Sequence, residues 1–226
     1  MTEAVLGVFA HPDDEALLAG GTLAACAAAG LDVTVVCVTA GELGGDPDTR
    51  RAELAASGEA LGIARAECLG YPDGELESAD EAALVRELVE MIDERPTRLL
   101  LTFTPDGLYW HPDHLAVHRF AAAAHRLAAR RPWAYGATLP AGLMPRLVRE
   151  LQERGLAADL WGLDPEAFGT PAESIAISID VRPFLERKLR ALRSHASQFG
   201  PAHVVSQLPD DLAAELLGKE YLVKLL

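Results

Sequence analysis

The sequence predicts a single α/β domain with a mostly parallel central sheet and an elaborated C-terminal third. Through the first half of the chain, short apolar runs alternate with segments of helical periodicity, which is typical of βαβ units. The run VTVVCVT at Val33–Thr39 is β-branched and continuous, as in a strand buried on both faces of a parallel sheet. With 226 residues and no internal repeat or linker, we expect one domain over 1–226.

The other elements follow from periodicity and from the residues that end helices. Val5–Phe9 is expected to be a buried strand, and Gly30 ends the alanine-rich helix Ala16–Ala29. Prolines, glycines and tryptophans in Trp133–Thr170 predict an irregular or antiparallel excursion. The remaining predicted elements are helices at Thr49–Leu61, Glu81–Glu94, His111–Ala129 and Pro183–Ser194, and strands at Glu67–Leu69, Arg98–Thr104 and Ser174–Asp180.

Composition narrows the classes of function. The formal net charge is −14, and such a surface repels phosphate backbones and anionic membranes. We therefore expect no nucleic acid partner and no membrane insertion. The N-terminal apolar run is too short for a bilayer span and lacks the basic flank of a signal peptide, so we expect a cytoplasmic protein. Cys26, Cys37 and Cys68 lack metal-ligand spacing. Cys26 and Cys37 lie in apolar runs, and we expect them to be small core residues rather than disulfide partners or catalytic thiols.

A first polar cluster, AHPDDE at Ala10–Glu15, directly follows the first strand. An imidazole and three consecutive carboxylates at a buried strand end call for a compensating charge, and a divalent cation supplies it. His11 and Asp14 are three residues apart and can face one point, whereas Asp13 stays free to act as a base. The alternative is that the three acids only cap the following helix. Capping leaves His11 unexplained.

A second cluster, YWHPDH at Tyr109–His114, follows the strand at Arg98–Thr104. His111 and His114 lie near one face of a helix start because they are three residues apart. His114 and His118 form a second pair, four apart, which is itself a candidate zinc clamp. Because the first cluster already supplies two ligands, we expect His118 to be structural or to lie behind the ligands. We expect His125 to face solvent.

Four polar loops should meet at one crevice. In open parallel sheets, ligands bind outside the carboxyl ends of the strands. Polar residues follow the predicted strands after Phe9, Thr39, Leu69 and Thr104.

Together the two clusters resemble those of the LmbE-like, or PIG-L, family of zinc-dependent N-deacetylases. The likeness extends over about residues 4–200. Weaker matches are TAGE at Thr39–Glu42, RRAE at Arg50–Glu53, LGYPDG at Leu69–Gly74 and KLRALRSHASQ at Lys188–Gln198. The resemblance implies a Rossmann-like three-layer sandwich. It also implies a hydrolase that removes an acyl group, expected to be acetyl, from the amine of a small molecule such as an N-acetylglucosaminyl-type conjugate.

Residue roles carry over on the matching positions. The resemblance implies one zinc ion per chain, with Fe²⁺ as an alternative divalent metal. Its ligands would be His11, Asp14 and His114. Asp13 would be the general base and His111 the oxyanion stabiliser, with Tyr109 able to reach the reacting centre.

Three further residues match positions that touch substrate in the family: Arg50, Asp73 and Glu42. Each of the first two has a plain alternative. Arg50 and its neighbour Arg51 can be surface residues paired with Glu53 or other acids, and Asp73 suits a Pro-Asp-Gly turn. His195 is either a pocket residue or a structural one.

Two other functions remain open at this point. A metal-dependent esterase or phosphoesterase also uses His and Asp clusters, although phosphoesterases usually need more carboxylates to hold two metals. A catalytically silent ligand-binding α/β module is the other alternative. It predicts the loss of a ligand or of the base. His11, Asp13, Asp14, His111 and His114 are all present. Apolar segments around Trp133–Trp161 leave a homo-oligomer open.

Overall fold

The computed structural model describes residues 2–156, 158, 160, 162–200 and 203–226. Trp161, at the end of the apolar segments that leave a homo-oligomer open, lies outside the described residues. The strands are β1 (Ala4–Phe9), β2 (Asp32–Thr39), β3 (Arg65–Tyr71), β4 (Thr97–Phe103), β5 (Trp133–Thr138), β6 (Ile177–Asp180) and β7 (Lys219–Lys224). The helices are α1 (Asp14–Ala28), α2 (Pro47–Leu61), α3 (Glu81–Glu94), the single distorted turn α4 (Gly107–Trp110), α5 (Pro112–Leu127), α6 (Leu143–Glu153), α7 (Leu185–Ser194) and α8 (Asp210–Leu217).

The strands form one sheet in the order β3-β2-β1-β4-β5-β7-β6. β1 to β5 are parallel, and β7 is antiparallel to both of its neighbours. The chain runs outward from β1 through β2 to β3, then crosses to β4 on the other side of β1. The carboxyl ends of β1 and β4 therefore flank a topological switch point, where open α/β sheets bind ligands.

Helices cover the sheet on two faces. α1, α2 and α7 pack against one another, and α3 packs against α5. The largest buried side chains include Phe9, Phe103 and Phe120, and the rings of Phe9 and Phe103 meet edge to face at 5.6 Å. This apolar layer fixes the ends of β1 and β4 beside each other. No helix in the described ranges is both long enough and apolar enough to cross a membrane.

The predicted α/β class and the mostly parallel sheet are confirmed, and helix Glu81–Glu94 has the predicted bounds. The strand expected at Glu67–Leu69 is longer and covers Arg65–Tyr71. The prediction of an irregular or antiparallel segment over Trp133–Thr170 is wrong for the start of that segment. There β5 is parallel to β4, and α6 follows it. Gly136 obscures this strand in the sequence. A Cβ there would lie 2.8 Å from the backbone of Thr104, so the close approach requires glycine.

The C-terminal elements α8 and β7 carry no clear signal in the sequence. A buried ion pair holds β7 against α7, with Nζ of Lys188 2.6 Å from Oε1 of Glu220. Glu220 also accepts the backbone N–H groups of Gly21 and Thr22 at 2.7 and 2.8 Å. The last strand is thereby tied to both α1 and α7.

Candidate active site and metal centre

The loops after β1, β2, β3 and β4 meet at the carboxyl edge of the sheet, as the sequence predicts. They line a cleft of about 330 Å³. His11 comes from the first loop, Leu43 from the second, Asp73 from the third and His111 from the fourth. Gln198 and Phe199 close one side from the segment after α7. Residues of both motifs therefore face one cleft.

Three side chains at this cleft form a cluster that can hold a metal ion. His11, Asp14 and His114 each offer a ligand atom, and these atoms lie within 4.8 Å of one another. Nδ1 of His11 lies 3.5 Å from Oδ2 of Asp14, and Nε2 of His114 lies 3.4 Å from Oδ1. Two imidazoles and one carboxylate are a donor set that suits zinc and leaves a coordination position open.

One buried atom supports a cation at this point. Nδ1 of His114 donates to the carbonyl of Gly107 at 3.0 Å, so the ring's lone pair is on Nε2. That Nε2 atom is buried and has no hydrogen-bond partner among the described residues. A buried polar atom without a partner is costly, and a metal ion would satisfy it.

Carboxylates outside the cluster orient His11. Its Nε2 atom lies 3.0 Å from Oδ1 of Asp73 and 3.2 Å from Oδ2 of Asp113. Asp113 is itself fixed by the backbone N–H groups of Gly74 and Leu76, at 2.8 and 3.3 Å. A histidine ligand commonly donates its other ring N–H to a carboxylate in this way. His11, His111 and Asp113 form a second group of clustered donors, which shares His11 with the first.

The charges in the metal-free protein follow from these contacts. Burial lowers the pKa of His11, but hydrogen bonds to Asp113 and two further carboxylates outweigh it and raise the pKa well above the usual value. Burial raises the pKa of Asp14, but His114 and His11 hold it well below its usual range. Burial lowers the pKa of His114 to about 4. Asp14 and His114 are thus in the forms that bind metal, whereas His11 holds a proton that a metal must displace.

Asp13 has a strained backbone at the mouth of the cleft. Its φ of 130° and ψ of −32° lie where L-residues are rarely found. As the residue before α1 it makes no side-chain capping hydrogen bond, so the capping alternative does not account for it. Burial and the charge of Asp14 raise the pKa of Asp13 to about 7. A carboxylate with such a pKa suits a general base at neutral pH.

The loop after β4 brings His111 and Tyr109 to the same space. The His111 ring centroid lies 5.0 Å from that of His11 and 4.6 Å from that of His114. Nδ1 of His111 accepts the backbone N–H of Asp113 at 3.2 Å, so Nε2 carries the ring hydrogen. Burial and the charge of His11 lower the pKa of His111. His111 is therefore a neutral imidazole that donates from Nε2.

Tyr109 packs in this loop between His111 and Phe168, with ring centroids 5.7 and 5.0 Å away. Burial and the charge of Asp14 raise the pKa of its phenol, which stays protonated. Its neighbours Leu108 and Trp110 have φ angles of 72° and 65°, and with Asp13 they are the non-glycine residues of positive φ in the described part of the chain. Backbone strain of this kind gathers at functional sites.

Arg50 lines the cleft, but its guanidinium contacts the chain itself. It donates to the carbonyl of Pro12 at 2.6 Å, to Oδ2 of Asp13 at 3.1 Å and to the carbonyl of Gly41 at 3.0 Å. A Cβ at Gly41, whose φ is 67°, would lie 2.5 Å from Cζ of Arg50, so glycine is required there. The alternative was that both arginines are surface residues paired with acids. It is wrong for Arg50, which is buried, and right for Arg51, which pairs with Asp48.

Asp73 and Glu42 join the loops after β2 and β3. Oδ2 of Asp73 accepts the N–H of Leu43 at 2.9 Å, and Oε1 of Glu42 accepts the N–H of Asp73 at 2.9 Å. Asp73 thus orients the His11 ring and also stabilises the turn in which it lies. Contacts of Arg50, Asp73 and Glu42 with a substrate stay predictions.

The other histidines have structural partners. Nδ1 of His118 donates to the carbonyl of Phe103 at 2.8 Å. The expectation that His125 faces solvent is wrong, because Nε2 donates to the carbonyl of Pro132 at 2.8 Å and the ring is buried where the chain turns back towards β5. His195 is fully buried against Glu15. No catalytic or metal-orienting role was predicted for Glu15 or Asp113, although both lie inside the two motifs.

Comparison with known proteins agrees with this geometry. The family model described as "PIG-L: GlcNAc-PI de-N-acetylase" matches residues 6–125, which include both histidine clusters. The chain belongs to the PIG-L family. Over an alignment 261 positions long, this PIG-L chain is 31% identical to a 1D-myo-inositol 2-acetamido-2-deoxy-alpha-D-glucopyranoside deacetylase from Acidothermus cellulolyticus. That alignment covers 100% of this chain and 89% of the relative.

Solved structures share the fold. The N,N'-diacetylchitobiose deacetylase from Pyrococcus horikoshii has a TM-score of 0.62 and 22% identity, covering 98% of this chain and 82% of that one. GalB, the 4-carboxy-2-hydroxymuconate hydratase from Pseudomonas putida KT2440, has a TM-score of 0.67 and 19% identity, covering 100% and 97%. Since a deacetylase and a hydratase both adopt this fold, the fold alone does not select the reaction of a PIG-L chain.

Proposed function

We propose that this PIG-L chain hydrolyses the acetamide of an N-acetylglucosaminyl-type conjugate, with one divalent cation, expected to be zinc, at His11, Asp14 and His114. The observation that carries the proposal is the position of Asp13, a carboxylate with a pKa near 7 that faces the same cleft as this cluster. A cluster of metal ligands beside a separate base is the arrangement that amide hydrolysis by water needs.

When bound, zinc supplies Lewis-acid chemistry, because it lowers the pKa of water to about 7 and polarises the amide carbonyl. The protein's own residues do the rest. Arg50 donates a hydrogen bond to Oδ2 of Asp13 at 3.1 Å. Oδ1 is therefore left to take the proton of the attacking water. Asp13 then returns that proton to the departing amine. One carboxylate thus acts first as base and then as acid.

His111 stabilises the charge that develops on the carbonyl oxygen. Its Nε2–H is available because Nδ1 is engaged by the backbone N–H of Asp113. A donor fixed before the reaction stabilises a developing oxyanion by about 3 kcal/mol. The protonated phenol of Tyr109, which lies beside His111, is placed to add a second donor.

The substrate class rests on the relatives and on the cleft. The deacetylase from Acidothermus cellulolyticus is named for an acetamido-glucopyranoside of inositol. A cleft of about 330 Å³ falls at the small end of the range for small-molecule sites and suits one sugar unit with part of its aglycone. Cys26, Cys37 and Cys68 are free thiols, which fits the cytoplasm as the place of this activity.

The test is a panel of glucosaminides in which the same sugar carries an N-acetyl amide, an O-acetyl ester or a phosphoester. Zinc-loaded protein is expected to release amine from N-acetylglucosaminides, with the inositol conjugate preferred over the free sugar. Turnover of the esters or phosphoesters alone would favour a metal-dependent esterase or phosphoesterase. Metal binding without turnover of any compound would favour the silent binding module.

A further inference from the structure

A buried carboxylate behind the cleft, Glu15, connects Asp13 to the C-terminal third of the chain. Oε2 of Glu15 accepts the backbone N–H of Asp13 at 2.9 Å. Oε1 accepts the hydroxyl of Ser57 at 2.6 Å and Nε2–H of His195 at 2.8 Å. His195 stands 180 positions further along the chain, at the end of α7. Neither Glu15 nor His195 is among the described residues that line the cleft.

The peptide group between Pro12 and Asp13 is clamped at both of its polar atoms. Arg50 donates to its carbonyl oxygen at 2.6 Å, and Glu15 accepts from its N–H at 2.9 Å. This is the peptide that leads into the strained φ of 130° at Asp13. Such a conformation persists only where its surroundings over-determine it, and two hydrogen bonds on opposite sides of one peptide do so.

The pair behind this clamp is costly for a protein core. Glu15 and His195 have side chains that are 1% and 0% exposed, and apolar residues would fill that volume without the penalty of burying polar groups. Each donor that reaches Glu15 fixes the direction of its carboxylate. A fixed Glu15 in turn fixes the Pro12–Asp13 peptide, and with it the direction of the Asp13 side chain.

We infer that Glu15 and His195 are positioning residues for Asp13. His195 and Ser57 hold Glu15, Glu15 holds the strained peptide, and the strained peptide directs the Asp13 carboxylate into the cleft. The inference rests on the proposed function only in taking Asp13 as the general base. Neither residue lines the cleft, and neither belongs to the cluster of metal ligands.

The test compares His195→Ala with His195→Gln in zinc-loaded protein. A small misplacement of a catalytic group can cost up to about 100-fold in rate, so we expect His195→Ala to lower kcat by about 10- to 100-fold. KM should change less than about twofold, and zinc should stay at about one per chain, because the substrate and metal contacts are intact. His195→Gln should recover part of kcat, since its amide can donate to Glu15.

His125→Ala is the matched control for loss of a buried histidine. His125 donates to the Pro132 carbonyl at 2.8 Å and lies about 16 Å along α5 from His114 at 1.5 Å per residue. We expect it to lower the melting temperature and leave kcat at the wild-type value. Ser57→Ala is the milder second variant if His195→Ala does not fold, and it should lower kcat without changing KM.

A crystal structure of zinc-loaded His195→Ala provides a readout that does not depend on activity. We expect the Pro12–Asp13 peptide to rotate and φ of Asp13 to leave the positive region. An unchanged peptide together with wild-type kcat would overturn the positioning role and leave the proposed function standing. Amine release by neither wild type nor variant, with a rotated peptide in the variant, would overturn the proposed function and leave the positioning role standing.

Discussion

Nε2 of His114 and Oδ1 of Asp14 face each other at 3.4 Å, with both side chains buried. The His114 ring is neutral and has its hydrogen on Nδ1, so both facing atoms are hydrogen-bond acceptors. Two acceptors in contact repel each other unless a cation lies between them. The contact between these two atoms is therefore unfavourable in the metal-free protein and becomes favourable when a divalent ion binds between them.

Loss of His114 should remove the metal. We expect His114→Ala, purified and reloaded with zinc, to hold well below one zinc per chain, because only two of the three ligands remain. The measurement is zinc content by atomic spectrometry after dialysis. His118→Ala is the matched control, one turn further along the same helix, and should retain about one zinc per chain. Loss of zinc from both variants would instead support the His114–His118 clamp.

Asp73 should act on the metal through His11. Its Oδ1 atom lies 3.0 Å from Nε2 of His11, the position from which a carboxylate orients a histidine ligand. Removal of such a partner typically costs about 10- to 100-fold in metal affinity. We expect Asp73→Asn to weaken zinc binding by that factor in competition with a chelator. A rise in KM with unchanged zinc affinity would show that Asp73 serves only the substrate.

Zinc binding should release protons near neutral pH. The pKa of His11 is raised, so the metal-free protein holds a proton on this ring at pH 7, and zinc requires the neutral ring. As pH falls below that pKa, apparent zinc affinity should fall about tenfold per pH unit for each proton displaced. Calorimetry in buffers of different ionisation enthalpy measures the release. Affinity that is flat from pH 6 to 7 would contradict the assignment of His11 as a ligand.

The buried Lys188–Glu220 pair should matter for stability. Lys188→Ala leaves the Glu220 charge buried with only backbone donors, and breaking such a pair costs about 3–5 kcal/mol of the free energy of unfolding. Urea denaturation measures the loss. Arg190→Ala, on the exposed side of the same helix, is the control and should change stability by less than about 0.5 kcal/mol. Equal effects of the two would contradict a special role for the pair.

Much of the first half of the fold could be predicted because its signals are local. Continuous apolar strands such as Val33–Thr39 and the amphipathic helix Glu81–Glu94 are set by neighbouring residues. β5 and β7 could not be predicted in this way. Their pairing depends on close packing at Gly136 and on a buried ion pair between distant positions, which no sequence period records.

The candidate site divides in the same way. The two motifs place His11, Asp14 and His114 at neighbouring strand ends, and the structure brings them together. The contact of Arg50 with Pro12 and that of His195 with Glu15 join segments far apart in the chain. The pattern of residues in one sequence does not show which distant side chain a buried carboxylate will meet.

Asp13→Asn tests the central claim most directly. The side chain keeps its shape but cannot take a proton, so zinc content should stay at about one per chain and KM should change little. The measurement is kcat for amine release from an N-acetylglucosaminide, by zinc-loaded variant and wild type side by side. We expect kcat to fall by about 10²- to 10⁴-fold, the usual contribution of a general base. A variant with full zinc and wild-type kcat would contradict hydrolysis through Asp13.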